Sequence, residues 1–318
     1  MKRLILLACV FLGLAAHAQT NEQRTLIVVV GAPGEEDYGP RFAEWGARWE
    51  KAGQAGGLKT ILIGNGAGTN DTARLQQVLA EESREGRNEL WLVLVGHGTF
   101  DGQEAKFNTR GPDVSANELA EWLKPVHRPI ALINCASSSG PFLAKLAGKG
   151  RVVITATRSG YELNYTRFGQ YISEAIADPA ADLDKDGQTS LLEAYLSAAS
   201  RVAEFYKKDG RLATEHSLID DNGDGLGTPP DWFRGIRATK KAENGVSVDG
   251  LRAHQFHLIR GEMELKLPPE VRARRDALEV ELASLRDLKA KLPEDEYYRR
   301  LEIMLFELAR AYQSGEKK

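Results

Sequence analysis

Two side chains of this sequence, a histidine and a cysteine, end apolar runs and have the chemistry of thiol-based acyl transfer. His97 follows the run 91–96 and precedes Gly98, and Cys135 follows the run 129–134, 38 residues after His97. In such a pair the cysteine attacks as a thiolate, and the imidazole takes up the proton and returns it to the leaving group. Gly98 lets a substrate approach the backbone, and its N–H could bind a developing oxyanion together with that of Cys135. The spacing predicts a catalytic dyad, with a core histidine and a buried structural cysteine as the alternative.

The segment after Cys135 bears on the reactivity of its thiol. Serines at 137–139 suit helix capping positions, and Pro141 suits the first turn of a helix. A thiol just ahead of a helix N-terminus has its charged form favoured. The sequence therefore predicts a reactive thiol.

A sheet is needed to bring these residues together. Short apolar runs alternate with segments of helical spacing from Thr25 to about Ile172. The predicted strands are 26–31, 60–63, 90–95, 130–133 and 152–156, and the predicted helices are 42–52, 72–82, 116–123 and 142–146. Continuous apolar strands separated by helices favour a mainly parallel sheet covered on both faces, with neighbouring strands about 4.8 Å apart. The predicted fold class is α/β with three layers, and His97 and Cys135 are expected at one edge of the sheet.

With these motifs, residues 25 to about 178 resemble the core of the caspase, legumain and gingipain clan of cysteine peptidases. That clan shares an apolar strand ending in His-Gly, a spacer, and an apolar strand ending in Cys. The resemblance implies His97 and Cys135 as the dyad and Gly98 as the oxyanion-hole glycine. Asn134, before the nucleophile, departs from the residues usual in caspases and legumains.

The resemblance also implies substrate-binding residues of the legumain kind. Arg41 lies where legumain-like enzymes bring an arginine into the substrate pocket, and the segment 155–162 resembles the one that borders that pocket. Within this segment Arg158 would favour acidic or amide side chains, whereas Glu162 would favour basic ones. The specificity is left open.

An acidic loop carries the second chemical signal. Residues 182–193 match the calcium loop pattern D-x-[DN]-x-[DN]-G-x5-E at every position, with helical stretches predicted at 168–177 and 191–206. The candidate ligands are Asp182, Asp184, Asp186, Gln188, Ser190 and Glu193. Gly187 permits the sharp turn, so the loop predicts a structural calcium site, with a solvated acidic loop as the alternative.

Two further groups are weaker metal candidates. Residues 220–225 begin a similar loop, but its twelfth position is Asp231, and Pro229-Pro230 prevent a normal exiting helix. The loop is a half-site or only a turn. His254 and His257 lie three positions apart without an evident third ligand, so they are interpreted as core or surface histidines.

The N-terminus predicts export. A basic start, an apolar run over 4–16 and a small-x-small motif predict a signal peptide at 1–18, with lipid attachment at Cys9 as the alternative. Removing it leaves Cys135 as the only cysteine, which is either inert or kept for chemistry. No later run has the length of a membrane span, so the mature protein is expected to be soluble in the periplasm or secreted.

Charge and composition narrow the partners. The 318 residues carry a net charge of -3, which excludes a basic nucleic-acid footprint. The run 64–69 lacks the third glycine of a dinucleotide loop, so no organic cofactor is expected. A tail over 268–311, broken near Pro293, predicts a helical hairpin or coiled coil that packs on the core or self-associates.

These features predict a peptidase domain at 19–250 with the calcium loop inside it, and a helical tail at 251–318. The leading functional hypothesis is a secreted, calcium-stabilised cysteine endopeptidase that acts on peptides or proteins. The alternative is a non-catalytic exported calcium-binding scaffold or interaction protein.

Overall fold

The structure is a computed structural model that describes residues 23–82, 84–240 and 247–316. The predicted signal peptide at 1–18 and Cys9 lie outside these residues. Within them, no helix combines the length and the apolar character of a membrane span.

Apolar, β-branched runs form the strands, as the sequence predicts. The strands are β1 (Thr25–Val30), β2 (Lys59–Ile63), β3 (Leu90–Val95), β4 (Gly98–Phe100), β5 (Ala105–Phe107), β6 (Val114–Ser115), β7 (Ile130–Asn134), β8 (Arg151–Thr155), β9 (Leu218–Asp220), β10 (Phe233–Arg234) and β11 (Arg237–Ala238). The central sheet has the order β2-β1-β3-β7-β8-β9, in which the first five strands run parallel and β9 is antiparallel. Strands β3 and β7 are neighbours, so the ends that carry His97 and Cys135 lie side by side.

Helices cover both faces of this sheet. They are α1 (Tyr38–Ala55), α2 (Asp71–Glu81), α3 (Ala116–Leu123), α4 (Gly140–Leu146), α5 (Phe168–Ala175), α6 (Leu191–Lys208), α7 (Leu251–Gln255), α8 (Glu262–Lys266), α9 (Pro269–Asp287) and α10 (Glu294–Glu316). Most predicted bounds hold within two residues. Helix α1 begins four residues earlier than predicted because its first turn accommodates Pro40.

Alternation along the strands divides the core into two layers. Val93 and Val95 face a cluster with Trp45 of α1 and Phe168 of α5. Leu92 faces a second cluster built on α2, α3 and α4. The prediction of a three-layer α/β fold with a mainly parallel sheet is confirmed.

The C-terminal region contains the predicted hairpin, in which α9 and α10 pack together. The residues that precede it belong to the main core, because Phe256 and Leu258 are buried there and Arg24 donates to the carbonyls of His257 and Leu258. The first part of the predicted tail is therefore anchored to β1, and the boundary at 250/251 stays a prediction.

Candidate functional site

His97 lies in an aromatic surround at the carboxyl end of β3. Its ring centroid is 4.7 Å from that of Tyr38, 5.0 Å from that of Phe42 and 6.1 Å from that of Tyr165. Burial lowers the pKa of His97, and the Pro33 carbonyl opposes part of this effect. Burial therefore favours the neutral form of the imidazole.

Cys135 lies on the same side of the sheet, within the core cluster that α1 and α5 cover. The side chain of Cys135 is 0% exposed. A Cβ built on Gly169 would lie 2.9 Å from the Cβ of Cys135 and 2.9 Å from the Trp45 ring. Thr166 Oγ1 donates to the Cys135 carbonyl at 2.6 Å. Helix α5 and the turn before it thus close over the thiol.

The electrostatics of Cys135 are opposite to the prediction of a reactive thiol. Burial raises the pKa of the thiol, and the nearby Glu215 carboxylate raises it further. Among the described residues, no hydrogen bond joins the thiol to the His97 imidazole. Burial in the core therefore opposes the thiolate that the sequence predicts, and the reactivity of this thiol stays a prediction.

The two predicted oxyanion donors already have partners. Gly98 N–H donates to Ser137 Oγ at 3.2 Å, and the same hydroxyl donates to the Gly98 carbonyl at 3.0 Å. Cys135 N–H donates to the Leu94 carbonyl at 2.9 Å. Both N–H groups are thus engaged in this structure, and their oxyanion role stays a prediction. Gly98 is needed for packing, because a Cβ there would lie 2.3 Å from the Ser137 carbonyl oxygen.

The predicted substrate-binding residues separate into two groups. Arg41 lies over the Tyr38 ring, 6.0 Å from its centroid, near His97. Arg158 instead pairs with Glu162, with 3.2 Å between Nε and Oε1. His216 Nδ1 lies 2.6 Å from the same oxygen, so the two opposite charges neutralise each other and neither is presented alone. Sequence reasoning missed Tyr165 and His216, since neither stands in a motif.

The first acidic loop connects α5 and α6 and has the geometry that a calcium loop requires. Single carboxylate oxygens of Asp182, Asp184 and Glu193 lie within 4.8 Å of one another, which is about twice a calcium–oxygen distance of ~2.4 Å. Burial and the neighbouring Asp186 and Glu193 raise the pKa of Asp184, as expected for crowded carboxylates. The set consists of oxygen ligands only, so it fits Ca²⁺.

Loop closure depends on the twelfth residue. Glu193 Oε1 accepts from the N–H groups of Leu183 and Asp184 at 2.7 and 3.2 Å. Ser190 forms a capping box with Glu193 at the start of α6, and its predicted role as a calcium ligand stays a prediction. Gln188 accepts from Gly261 N–H through its side-chain oxygen, which connects the loop to the C-terminal region.

The second acidic loop, which begins at Asp220, has the same backbone-to-side-chain hydrogen bonds at its first, third and fifth residues as the first loop. In both, the first Asp accepts from the N–H groups of the fourth and sixth residues, the third residue accepts from the fifth, and the fifth accepts from the seventh. The fourth and sixth residues have positive φ in both loops, 63° and 90° in the first and 83° and 76° in the second. The two loops therefore share one backbone conformation.

Asp249 takes the place of the twelfth residue in the second loop. Its Oδ1 accepts from Asp221 and Asn222 N–H at 2.9 and 3.2 Å, the same two positions that Glu193 engages in the first loop. Asp231, the twelfth residue by sequence, lies in a short helical turn, 230–232, instead. Burial and the neighbouring Asp249 raise the pKa of Asp220 to about 7.

Comparisons with known proteins add little at this site. No family model matches the chain, and no curated protein matches it. The initiator caspase Dronc of Drosophila is similar at 15% identity, with 65% of this chain and 84% of that chain covered and a TM-score of 0.42. Caspase-1 from Spodoptera frugiperda is similar at 10% identity, with 63% and 87% covered and a TM-score of 0.40. TM-scores this low carry no inference about this chain, so its chemistry rests on the contacts above.

Proposed function

We propose that this protein is an exported calcium-binding protein in which two ions hold the C-terminal region against the α/β core. The observation that carries the proposal is the repeated loop: two acidic segments share their hydrogen bonds and positive-φ positions, and each ends on a carboxylate that caps its second and third residues. The first segment also satisfies the full calcium loop pattern in sequence.

Calcium is the cation that the ligands favour. The ligand positions of each loop offer carboxylate and amide oxygens, and such hard ligands select Ca²⁺ or Mg²⁺ over transition metals. The His254 imidazole lies beside the first loop, with its Nε2 3.4 Å from Asp184 Oδ2. Each carboxylate oxygen of Asp182 and of Asp220 accepts one N–H and keeps a lone pair for an ion. Burial, and after it the neighbouring carboxylates, raise the pKa values of Asp184 and Asp220, and a divalent cation would relieve the repulsion between these charges.

The loops stand where the C-terminal region contacts the core, which supports a structural role. Gln188 of the first loop accepts from Gly261, and Asp221 of the second accepts from Ala253 N–H at 2.8 Å. Asp249 itself comes from the C-terminal side. Calcium would therefore stabilise the docking of residues 247–316. At extracellular calcium levels, which exceed the dissociation constants of many such loops, both sites would stay filled.

Calorimetric titration of the calcium-free protein tests this. We expect two ions per chain, and a thermal unfolding temperature that rises with calcium. Asp182→Asn with Glu193→Gln should remove one ion, and Asp249→Asn should remove the other. The matched control is Asp231→Asn, which changes the contiguous twelfth position and should leave both ions. The proposal fails if calcium gives neither heat nor stabilisation, or if Asp231→Asn and not Asp249→Asn abolishes the second site.

A second candidate is the cysteine endopeptidase that the sequence indicates, with Cys135 as nucleophile and His97 as its partner. One observation favours it: the two residues lie on the same side of the sheet, at the ends of neighbouring parallel strands. The burial of the thiol places it second. A peptide library incubated with the wild type, Cys135→Ala and His97→Ala, with calcium and with a chelator, decides between them. Cleavage that both substitutions abolish would establish the peptidase, with Arg41, Arg158 and Glu162 then examined for specificity.

Export is part of the proposal and follows from the predicted signal peptide. A cleaved signal would give a mature chain starting near Gln19, and lipid attachment at Cys9 would give a lipoprotein. Mass spectrometry of the N-terminus from the native host distinguishes the two, and an unprocessed Met1 would contradict both.

A further inference from the structure

A cavity of about 610 Å³ lies beside the last strands of the sheet, and Asp220, Asp249 and the first loop's carboxylates do not line it. Its walls come from α5, α6, the end of β8 and the segment 227–232 that follows the second loop. Phe168, Val202 and Trp232 supply apolar surface. Its volume is within the range of about 300–1,000 Å³ that is typical of small-molecule sites.

Two of the charged groups in the wall are already engaged. The Glu215 carboxylate accepts from the N–H groups of Arg167 and Phe168 at 2.9–3.0 Å and from the Tyr206 hydroxyl at 3.2 Å. Arg158 pairs with Glu162 at the mouth. Both groups therefore serve the fold, and neither has its charge available for a ligand.

Asp231 differs from them. It lines the cavity and is exposed, and within the described part of the chain no hydrogen bond or ion pair engages its carboxylate. The adjacent Trp232 ring has the Lys240 ammonium 5.7 Å from its centroid, so one of its faces already attracts a cation. Among the side chains that line the cavity, two are carboxylates, Glu215 and Asp231, and one is a guanidinium, that of Arg158. The mouth is net negative.

We propose that this cavity binds a small organic cation with an apolar body, whose ammonium group pairs with Asp231 and whose body packs on Phe168, Val202 and Trp232. The site goes beyond calcium binding and uses no atom of Cys135 or His97. An anionic ligand of the same shape would meet the unpaired Asp231 carboxylate, while the only lining guanidinium, that of Arg158, is already neutralised.

Tryptamine and indole-3-acetate are matched probes, because they share an indole body and carry opposite charges. Calorimetric titration is done with the full chain in saturating calcium. We expect tryptamine to bind severalfold more tightly than indole-3-acetate, because the exposed Asp231 carboxylate attracts the ammonium group of the one and repels the carboxylate of the other. Asp231→Asn should remove most of this preference, and Glu121→Gln on the remote, exposed surface of α3 should not change it.

A steric variant keeps the test independent of charge. Ala203 lines the cavity from an exposed position on α6, so Ala203→Trp should block tryptamine while the thermal unfolding temperature stays near that of Ala203→Ser. The proposal is overturned if indole-3-acetate binds as well as tryptamine, if Asp231→Asn leaves the preference intact, or if Ala203→Trp binds tryptamine like the wild type. Loss of calcium binding with retained tryptamine binding would refute the calcium proposal alone.

Discussion

Cys135 should be protected from alkylation in the folded protein, and the degree of protection follows from its burial. The side chain is 0% exposed, so a reagent reaches the sulfur only after α5 and its preceding turn move away. At about pH 7.5 an ordinary cysteine, with a pKa of about 8.5, is about 10% thiolate. Even an opening that costs only about 5 kcal/mol, the lower end of domain stability, leaves about 1 molecule in 4,000 open.

We therefore expect iodoacetamide to modify native Cys135 at least about 1,000-fold more slowly than a model thiol at about pH 7.5. The assay is the mass shift, followed over time, of a chain that begins at Gln19, in which Cys135 is the only cysteine. The reference is Cys135→Ala combined with Ser200→Cys, which moves the thiol to an exposed position on α6. In guanidinium both proteins should react at the same rate.

The opposite result would refute the reasoning. A native Cys135 that reacts as fast as the thiol introduced by Ser200→Cys would show that the thiolate is accessible and favoured. In that case the burial and the raised pKa would not describe the protein in solution, and the endopeptidase would become the leading proposal. Protection equal to that of the global unfolding reaction would support the non-catalytic proposal.

Three further predictions concern packing, pH and coupling. Gly169→Ala should lower the free energy of unfolding by about 1–3 kcal/mol, because its Cβ would lie 2.9 Å from Cys135 and Trp45. Alanine favours helices, so a variant that is more stable in chemical denaturation would contradict this expectation. Burial lowers the pKa of His257 to about 4, so between pH 6.5 and pH 4 this histidine takes up a proton in the unfolded state but not in the folded state. The free energy of unfolding should therefore fall by at most about 3 kcal/mol as the pH drops from about 6.5 through 4. His257→Gln should flatten that part of the pH profile relative to the wild type, and an unchanged slope would exclude the effect. Asp249→Asn should weaken tryptamine binding severalfold, because Thr228 Oγ1 donates to Asp249 and the residues directly after Thr228 line the cavity. Equal affinities of the wild type and the variant in calorimetry would show that the two sites are independent.

The fold could be predicted because its signals are local. Apolar runs such as 90–95 and 130–134 form strands regardless of distant residues, and the helical segments between them dictate a parallel sheet. The adjacency of His97 and Cys135 followed from the same rule and is present. The surroundings of the thiol could not be predicted, because residues close to Cys135 in sequence do not determine them. They depend on Gly169, 34 residues further along, which lets α5 approach closely enough to cover Cys135.

The second loop shows why contiguous patterns miss some sites. Asp249 lies 29 positions after Asp220, whereas Glu193 lies only 11 after Asp182. The extra entropy of closing the longer loop, (3/2)RT times the logarithm of the length ratio, is only about 1 kcal/mol. Closing the loop with a remote carboxylate therefore costs little more free energy than closing it with one in the twelfth position. Pro229-Pro230 exclude the exiting helix, but they do not exclude the site. The carboxylate that closes the second loop, that of Asp249, comes from the C-terminal region. The second loop therefore has its full set of ligands only when the C-terminal region is docked on the core, so calcium binding at this loop measures docking.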